Sequence, residues 1–223
     1  MPSSAMHPAL KGIRLVVFDL DGTLIDSVPD LAAALDGALG ELRLPEAGEA
    51  AVRDWVGNGS RKLVERALYA VDAQDRDLDE VHEAFLRHYR QAPCRLTQVY
   101  PGVREALEAL ATRGVAIGLI TNKPTAFIVP ILECLELSRY FALTLGGDAL
   151  STRKPDPAPL LHLADRLEVA PSACLMVGDS RHDVEAGRRA GFRTLAVPYG
   201  YNHGKPVAAS EPDVMVESLG ELV

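Results

Sequence analysis

The sequence predicts an α/β fold: a parallel β-sheet with helices on both faces, whose first strand–helix connection carries a long helical insert. Short apolar runs that end in polar residues recur along the second half of the chain, and stretches with a 3.6-residue apolar period separate them. Strands that alternate with helices in this way indicate a parallel sheet. Between residues 25 and 97 the apolar residues keep only the helical period, which indicates a separate all-helical unit.

The first strand is predicted at Leu15–Phe18, an apolar run that is too short for a helix and ends at Asp19. Four helices are predicted after it, near residues 28–42, 52–56, 60–71 and 78–89. Pro29 is tolerated in the first turn of the first of these helices, and Ser60 can cap the third. No strand is predicted within this stretch.

The pattern changes at residues 101–102, a Pro-Gly pair, after which helices and strands alternate. Helices are predicted near residues 103–110, 128–135, 160–167 and 183–190. Strands are predicted near residues 115–120, 143–145, 174–177 and 194–197. This order predicts a Rossmann-like core formed by residues 1–23 and 101–223, with residues 24–100 as the helical insert.

Composition and charge exclude several classes of protein. The 223 residues are 48% hydrophobic, and no apolar run approaches the ~18 residues of a membrane span. The first dozen residues lack the apolar segment of a secretory signal, so we expect a cytoplasmic protein with no membrane partner. The formal net charge of −8 argues against a nucleic-acid partner. The widely spaced Cys94, Cys134 and Cys174 are expected to be reduced thiols.

Acidic residues stand directly after two of the predicted strands. Asp19 and Asp21 follow the first strand, and Asp179 and Asp183 follow the strand near residues 174–177. Ligands of open parallel sheets bind outside the carboxyl ends of the strands, so these residues are expected to meet in one site. Carboxylates so close together repel each other, and a hard divalent cation such as Mg²⁺ relieves that repulsion.

A hydroxyl group and a lysine complete this set of polar residues. Thr121 follows the strand near residues 115–120, and Lys154 lies between the strand-end motifs in a loop that contains two prolines. Two acidic pairs, a hydroxyl group and a lysine indicate metal-assisted phosphoryl transfer through an aspartyl phosphate.

Four short motifs in a fixed order resemble the motif set of the haloacid dehalogenase-like hydrolases. They are Asp-Leu-Asp-Gly-Thr at residues 19–23, Thr-Asn at 121–122, Lys-Pro-Asp-Pro at 154–157 and Gly-Asp-Ser-Arg-His-Asp at 178–183. The resemblance covers nearly the whole chain, and it implies that residues 24–100 form a helical C1-type cap. Segments 26–31, 56–59, 121–124 and 199–204 are similar to those of the family's bacterial phosphatases that hydrolyse 2-phosphoglycolate.

The resemblance implies catalytic roles for three residues. Asp19 matches the nucleophile, and its reference pKa near 4 implies that it is ionised at neutral pH. Asp21 matches the general acid and base, and its backbone carbonyl matches a ligand of Mg²⁺. Lys154 matches the lysine that offsets negative charge on the nucleophile and on the phosphoryl oxygens.

The resemblance also implies binding roles. Thr121 and the backbone amide of Asn122 match the phosphate-binding motif, and Lys154 contacts the same phosphoryl group. Asp179 matches a metal-ligating acid, and Asp183 matches an acid that supports the metal or its waters. Asp183 has an alternative role, which is to stabilise the N-terminus of its own helix.

In the cap, the substrate's carboxylate has several candidate partners. Arg61, Lys62 or the amides of the turn at residues 57–59 face the active site if the cap closes over it. We predict Arg61 as a substrate-binding residue, because a guanidinium group suits a carboxylate. The alternative is that both side chains are solvated.

The matches together predict a Mg²⁺-dependent phosphomonoesterase that acts on a small phosphorylated metabolite, with 2-phosphoglycolate as the substrate. One alternative is a phosphatase of the same family for a sugar phosphate or pyrophosphate. Another is a non-catalytic module that accepts phosphate. Asp21 argues against that module and against a dehalogenase, because both lack the second carboxylate. Monomer and homodimer both remain open.

Overall fold

A computed structural model describes residues 7–222 as a parallel sheet with helices on both faces and a helical cap. The strands are β1 (Leu15–Phe18), β2 (Ile25–Asp26), β3 (Gln98–Val99), β4 (Ala116–Ile120), β5 (Leu143–Leu145), β6 (Cys174–Gly178), β7 (Arg193–Ala196) and β8 (Val214–Met215). The α-helices are α1 (Val28–Glu41), α2 (Glu49–Trp55), α3 (Ser60–Ala70), α4 (Leu78–Gln91), α5 (Val103–Thr112), α6 (Ile128–Cys134), α7 (Ala158–Arg166) and α8 (Arg181–Ala190). The predicted α/β fold class is confirmed.

The main sheet has the strand order β5-β4-β1-β6-β7-β8, and all its neighbouring strands are parallel. Strand β1 lies between β4 and β6, where Phe18 pairs in register with both Leu119 and Val177. The carboxyl ends of these three strands are therefore level with one another. Residues that directly follow them lie at one edge of the sheet.

Alternating side chains of β1 bury both faces of the sheet. Leu15 and Val17 belong to an apolar cluster with residues of α7 and α8, whereas Val16 and Phe18 pack in the cluster that contains residues of α5 and α6. All four side chains are fully buried, as expected for a central parallel strand with helices on both faces. The uninterrupted apolar run that predicted β1 follows directly from this two-sided burial.

The cap packs its four helices into the same apolar cluster as one face of the sheet. Helix α1 begins at Val28 with Pro29 in its first turn, as predicted, and it packs along α4. The base of the cap differs from the prediction of an all-helical segment, because β2 and β3 form a two-stranded antiparallel ladder there. Strands of two residues carry no period of their own, so the sequence pattern did not reveal them.

Two further observations concern the cysteines and the membrane. Cys94, which follows α4, forms a disulfide with Cys134 at the end of α6, whereas Cys174 is free and buried. The prediction of three reduced thiols is therefore wrong for the first two, because the fold brings together residues that the sequence separates by 40 positions.

Among residues 7–222, no helix is long and apolar enough to cross a membrane.

Candidate active site

Polar side chains from three neighbouring strands meet at the carboxyl edge of the sheet. Asp19 follows β1, Thr121 follows β4, and Asp179 follows β6, each directly after the last residue of its strand. Thr121 and Asp179 are buried, and the side chain of Asp19 is only 13% exposed. The structure thus brings together residues from three distant parts of the chain, as the predicted strand ends require.

Lys154 lies between two of the acidic side chains. Its Nζ lies 2.8 Å from Oδ1 of Asp19 and donates to Oδ1 of Asp183 at 2.6 Å and to the carbonyl of Ile120 at 2.8 Å. Burial opposes the charged form of this lysine, but the carboxylates of Asp183 and Asp19 outweigh burial and hold its pKa above the ordinary value. Lys154 therefore stays protonated and neutralises part of the negative charge.

Three acidic residues converge on one small volume. Carboxylate oxygens of Asp19, Asp179 and Asp183 lie within 4.8 Å of one another. The carboxylate of Asp179 is held from both sides: its Oδ1 accepts from the hydroxyl of Thr23 at 3.0 Å, and its Oδ2 accepts from the N–H of Tyr201 at 2.7 Å. These hydrogen bonds fix the orientation of Asp179 toward its acidic neighbours.

Asp183 also supports the start of its own helix. Its Oδ2 accepts from the backbone N–H of Ser180 at 3.0 Å and from the Ser180 hydroxyl at 2.7 Å, while its Oδ1 accepts from Lys154. The alternative role as a helix-terminus residue is therefore consistent with the structure. The same carboxylate lies beside the acidic cluster, so a role in supporting a metal ion stays a prediction.

The chain turns sharply at Gly22, between the two carboxylates of the first motif and the cap. Its φ is +87°, in the left-handed region, and a Cβ atom there would collide with the Asp179 carboxylate. Glycine is thus required both by the backbone conformation and by the close approach of the metal-binding candidate.

Burial raises the pKa values of the clustered acids. It raises the pKa of Asp19 to about 8 and that of Asp179 to about 7, and neighbouring carboxylates add to the effect while Lys154 opposes it. Burial thus opposes the ionised form of Asp19, and the expectation that Asp19 is ionised at neutral pH stays a prediction. A cation among the carboxylates would favour their ionised forms.

Asp21 has a different set of partners from the other acids. Its Oδ1 accepts from the hydroxyl of Ser27, and Nζ of Lys123 lies 2.9 Å from Oδ1 and 3.1 Å from Oδ2. The Lys123 side chain is only 3% exposed. Sequence reasoning assigned Lys123 no role, although its position directly after the Thr-Asn motif at a strand end was a usable signal.

A small cavity lies between the carboxyl edge of the sheet and the cap. Its volume is about 40 Å³. Core residues that line it include Asp19, Asp21, Thr121, Asn122 and Lys123. The cap contributes a mostly apolar wall, formed by Leu31, Val56, Gly57, Gly59, Ser60, Leu63, Phe85 and Tyr89. The predicted catalytic carboxylates therefore line a cavity that core and cap share.

Thr121 and Asn122 organise the wall of this cavity. The Oγ1 of Thr121 accepts from the N–H of Lys123 at 3.1 Å. The Nδ2 of Asn122 donates to the carbonyl of Gly57 in the cap at 2.9 Å and to the carbonyl of Lys154 at 3.1 Å. The Asn122 side chain thus joins cap and core, and its predicted phosphate contact through the backbone amide stays a prediction.

The structure does not bring Arg61 to the site. Its guanidinium group forms an ion pair with Asp79, and its side chain is 51% exposed. Ser60, the first residue of α3, lines the cavity. Successive residues of a helix point in different directions, and the Arg61 side chain lies at the surface of the cap. A cation does line the cavity, but it is Lys123 of the core.

Cap and core form a second polar contact beside the cavity. The Nδ2 of Asn58 lies 2.6 Å from Nε2 of His182, and Arg66 donates to Oδ1 of Asn58 at 2.7 Å. The Nδ1 of His203 lies 3.1 Å from the carbonyl of Asp54. The sequence motifs assign neither His182 nor His203 a role. Their position at the boundary between cap and core becomes visible only when the cap is packed on the core.

Comparison with known proteins decides the family. The family model described as haloacid dehalogenase-like hydrolase matches residues 13–191. The chain belongs to this family. It is 47% identical over 225 residues to Phosphoglycolate phosphatase 1 of Pseudomonas aeruginosa, and the match covers 99% of this chain and 83% of the relative. It is 43% identical over 233 residues to a phosphoglycolate phosphatase of Salmonella typhimurium, and that match covers 96% of this chain and 92% of the relative.

A solved structure supports the same relationship. The crystal structure of a predicted phosphoglycolate phosphatase from Haemophilus somnus matches with a TM-score of 0.90 and 36% sequence identity. The match covers 94% of this chain and 96% of that chain. The α/β core and the cap of this haloacid dehalogenase-like hydrolase are therefore those of a known architecture.

The donor set fits a divalent cation. The carboxylates of Asp19, Asp179 and Asp183 cluster beside one lysine, Lys154. The two remaining negative charges match one divalent ion, and Mg²⁺ prefers carboxylate, carbonyl and water oxygens. The acidic cluster of this haloacid dehalogenase-like hydrolase thus has the chemistry of a magnesium site, with Asp19 and Asp179 as its predicted side-chain ligands.

Magnesium is expected to raise the melting temperature more at pH 8 than at about pH 5.5. In a chelator, the folded chain holds more protons on Asp19 than the unfolded chain between pH 3.8 and about 8, so stability falls as pH rises through that window. Asp179 acts in the same direction up to about pH 7. Mg²⁺ competes with these protons, and its stabilising effect therefore grows as the protons are lost.

Calorimetric scans in excess chelator and in about 10 mM Mg²⁺ at both pH values measure the effect. The variant Asp179→Asn is expected to lose most of the Mg²⁺-dependent shift. Asp165→Asn removes a carboxylate from the exposed face of α7 and is the matched control that keeps the shift. An equal shift at both pH values contradicts the proton–metal competition.

Proposed function

We propose that this protein is a Mg²⁺-dependent phosphomonoesterase that hydrolyses 2-phosphoglycolate to glycolate and phosphate. The observation that carries the proposal is the pairing of Asp19 and Asp21 in one enclosed cavity, with Lys154 on the first carboxylate and Lys123 on the second. The names of its relatives support the choice of substrate. Residues 24–100 are the proposed cap that opens for substrate and closes for the reaction.

In the first step, a carboxylate oxygen of Asp19 attacks phosphorus and the bond from phosphorus to the ester oxygen breaks. Asp21 donates its proton to that oxygen, so glycolate leaves as an alcohol rather than an alkoxide. Lys154, which lies 2.8 Å from Asp19, offsets charge on the phosphoryl oxygens. A bound Mg²⁺ supplies further neutralisation of the phosphoryl group and the carboxylates.

In the second step, the aspartyl phosphate on Asp19 is hydrolysed. Asp21, now ionised, takes a proton from water while the water oxygen attacks phosphorus, and the bond to the Asp19 oxygen breaks. Phosphate leaves, Asp19 regains its carboxylate and Asp21 is again protonated. Ser27 and Lys123 hold the Asp21 carboxylate in place for both proton transfers.

The size of the cavity supports a small substrate. A volume of about 40 Å³ has room for only a few water molecules in the closed cap. A two-carbon leaving group is therefore favoured over a bulky one such as a sugar ring in this cap position. The enclosed wall also excludes bulk water, which protects the acyl phosphate from unproductive contacts.

Asp19→Asn is expected to abolish turnover and to leave the fold intact, because the amide is isosteric but is not a nucleophile. Phosphate release is expected to fall by at least about 10⁴-fold, a loss typical of removing a covalent nucleophile. Thermal unfolding of the same preparation checks the fold. Asp165→Asn is the control and is expected to keep wild-type turnover. Near-normal phosphate release from Asp19→Asn contradicts the mechanism.

A steady-state screen in Mg²⁺ tests the substrate. We expect 2-phosphoglycolate to rank among the best substrates by kcat/KM, ahead of hexose phosphates, nucleotides and pyrophosphate, because the closed cavity excludes large leaving groups. If a hexose phosphate or pyrophosphate leads instead, the assignment to 2-phosphoglycolate fails while the phosphatase class survives. Accumulation of a stable phosphoenzyme without phosphate release favours the non-catalytic alternative.

A further inference from the structure

We propose that Lys123, with the hydroxyl of Tyr89 and the N-terminus of α3, forms a subsite for the carboxylate of the substrate. The proposal rests on the proposed function and deepens it. Lys123 of the core, and not Arg61 of the cap, is then the residue that binds the carboxylate. The substrate class is that of short phosphate esters with a carboxylate on the carbon next to the ester oxygen.

The position of Lys123 relative to Asp21 carries the argument. Its Nζ lies 2.9 and 3.1 Å from the two oxygens of Asp21, which is the residue proposed to protonate the leaving oxygen. An ammonium group has three donors, so the two carboxylate oxygens leave a third N–H, which faces the hydroxyl of Tyr89 and the cavity. Any group that Lys123 binds through this donor lies close to the leaving oxygen.

The chemistry of the leaving group matches this position. In 2-phosphoglycolate one CH₂ group separates the ester oxygen from the carboxyl carbon, so the carboxylate oxygens lie within about 3–4 Å of the leaving oxygen at ordinary bond lengths. A lysine that touches the acid/base residue is therefore within reach of the substrate's carboxylate. Arg61 is not, because its side chain pairs with Asp79 at the surface.

Two features of the cap face the same space. The hydroxyl of Tyr89 is buried beside the ammonium group of Lys123, and its own O–H has no acceptor among the residues that the structure describes. Tyr89 lines the cavity, and Nζ of Lys123 lies 4.9 Å from its ring centroid. Helix α3 begins at Ser60 without a side-chain cap, and Gly59 and Ser60 line the cavity. Free N–H groups at a helix N-terminus favour an anion, and a buried hydroxyl group requires an acceptor.

The surrounding wall makes this interaction selective. The cap side of the cavity is formed largely by apolar side chains such as Leu63 and Phe85, so a carboxylate there is held by the lysine, the hydroxyl group and the helix N-terminus rather than by water. An ester without the carboxylate leaves these donors unpaired. Sites of this kind reject analogues that lack the polar group.

The test compares two substrates on the same enzyme sample. The ratio of kcat/KM for 2-phosphoglycolate to kcat/KM for ethyl phosphate, which lacks the carboxylate, measures carboxylate recognition alone. Because the fraction of folded enzyme and any damage to Asp21 affect both substrates, they cancel in this ratio. We expect Lys123→Met to lower the ratio by roughly 10–150-fold, the range for hydrogen bonds to charged groups.

Two further variants sharpen the test. Tyr89→Phe removes only the hydroxyl group and is expected to lower the ratio by roughly 10-fold or more, because the lost hydrogen bond is one to a charged carboxylate. Lys11→Met removes one lysine charge from an exposed position before β1 and is the matched control with an unchanged ratio. The Tyr89→Phe ratio keeps the proposal testable if Lys123→Met does not fold.

The outcomes separate this proposal from the proposed function. If the wild type prefers 2-phosphoglycolate and Lys123→Met keeps the whole preference while both rates fall together, Lys123 only positions Asp21 and the subsite is overturned. If the wild type hydrolyses both esters equally, the assignment to 2-phosphoglycolate fails and the subsite fails with it. Loss of preference in both variants, with the control unchanged, supports the subsite.

Discussion

The rest of the site depends on an imbalance of charge at the carboxyl edge of the sheet. The carboxylates of Asp19, Asp179 and Asp183 cluster beside one lysine, Lys154, and burial raises the pKa of Asp19 to about 8. The protein groups alone therefore favour protonated acids, which are poor nucleophiles. A divalent cation balances these charges, so a phosphate group can bind locally although the chain has a net charge of −8.

The fold produces this imbalance through the order of its strands. Strand β1 lies between β4 and β6, so Asp19, Thr121 and Asp179 converge although they are far apart in sequence. The cap begins a few residues after Asp21, and Ser27, just before α1, donates a hydrogen bond to that carboxylate. The residue proposed to move the proton is therefore held by a segment at the base of the cap.

Much of the fold and of the catalytic centre could be predicted from the sequence, because strong periodicity and strand-end polar residues report on local structure. The apolar run of β1 and the position of Asp19 are examples. Features that depend on cap packing could not be predicted. The ladder of β2 and β3, the disulfide of Cys94 with Cys134 and the ion pair of Arg61 with Asp79 all join segments that no local pattern connects.

The most direct test of this account is the affinity for inorganic phosphate with and without Mg²⁺, measured by calorimetry at pH 8 on the wild-type protein. Since two excess carboxylates repel an anion until a cation balances them, phosphate is expected to bind at least about tenfold more tightly in Mg²⁺ than in chelator. By reciprocity, phosphate strengthens Mg²⁺ binding by the same factor. Equal phosphate affinity under both conditions contradicts the central claim that a cation is needed to balance the buried acids.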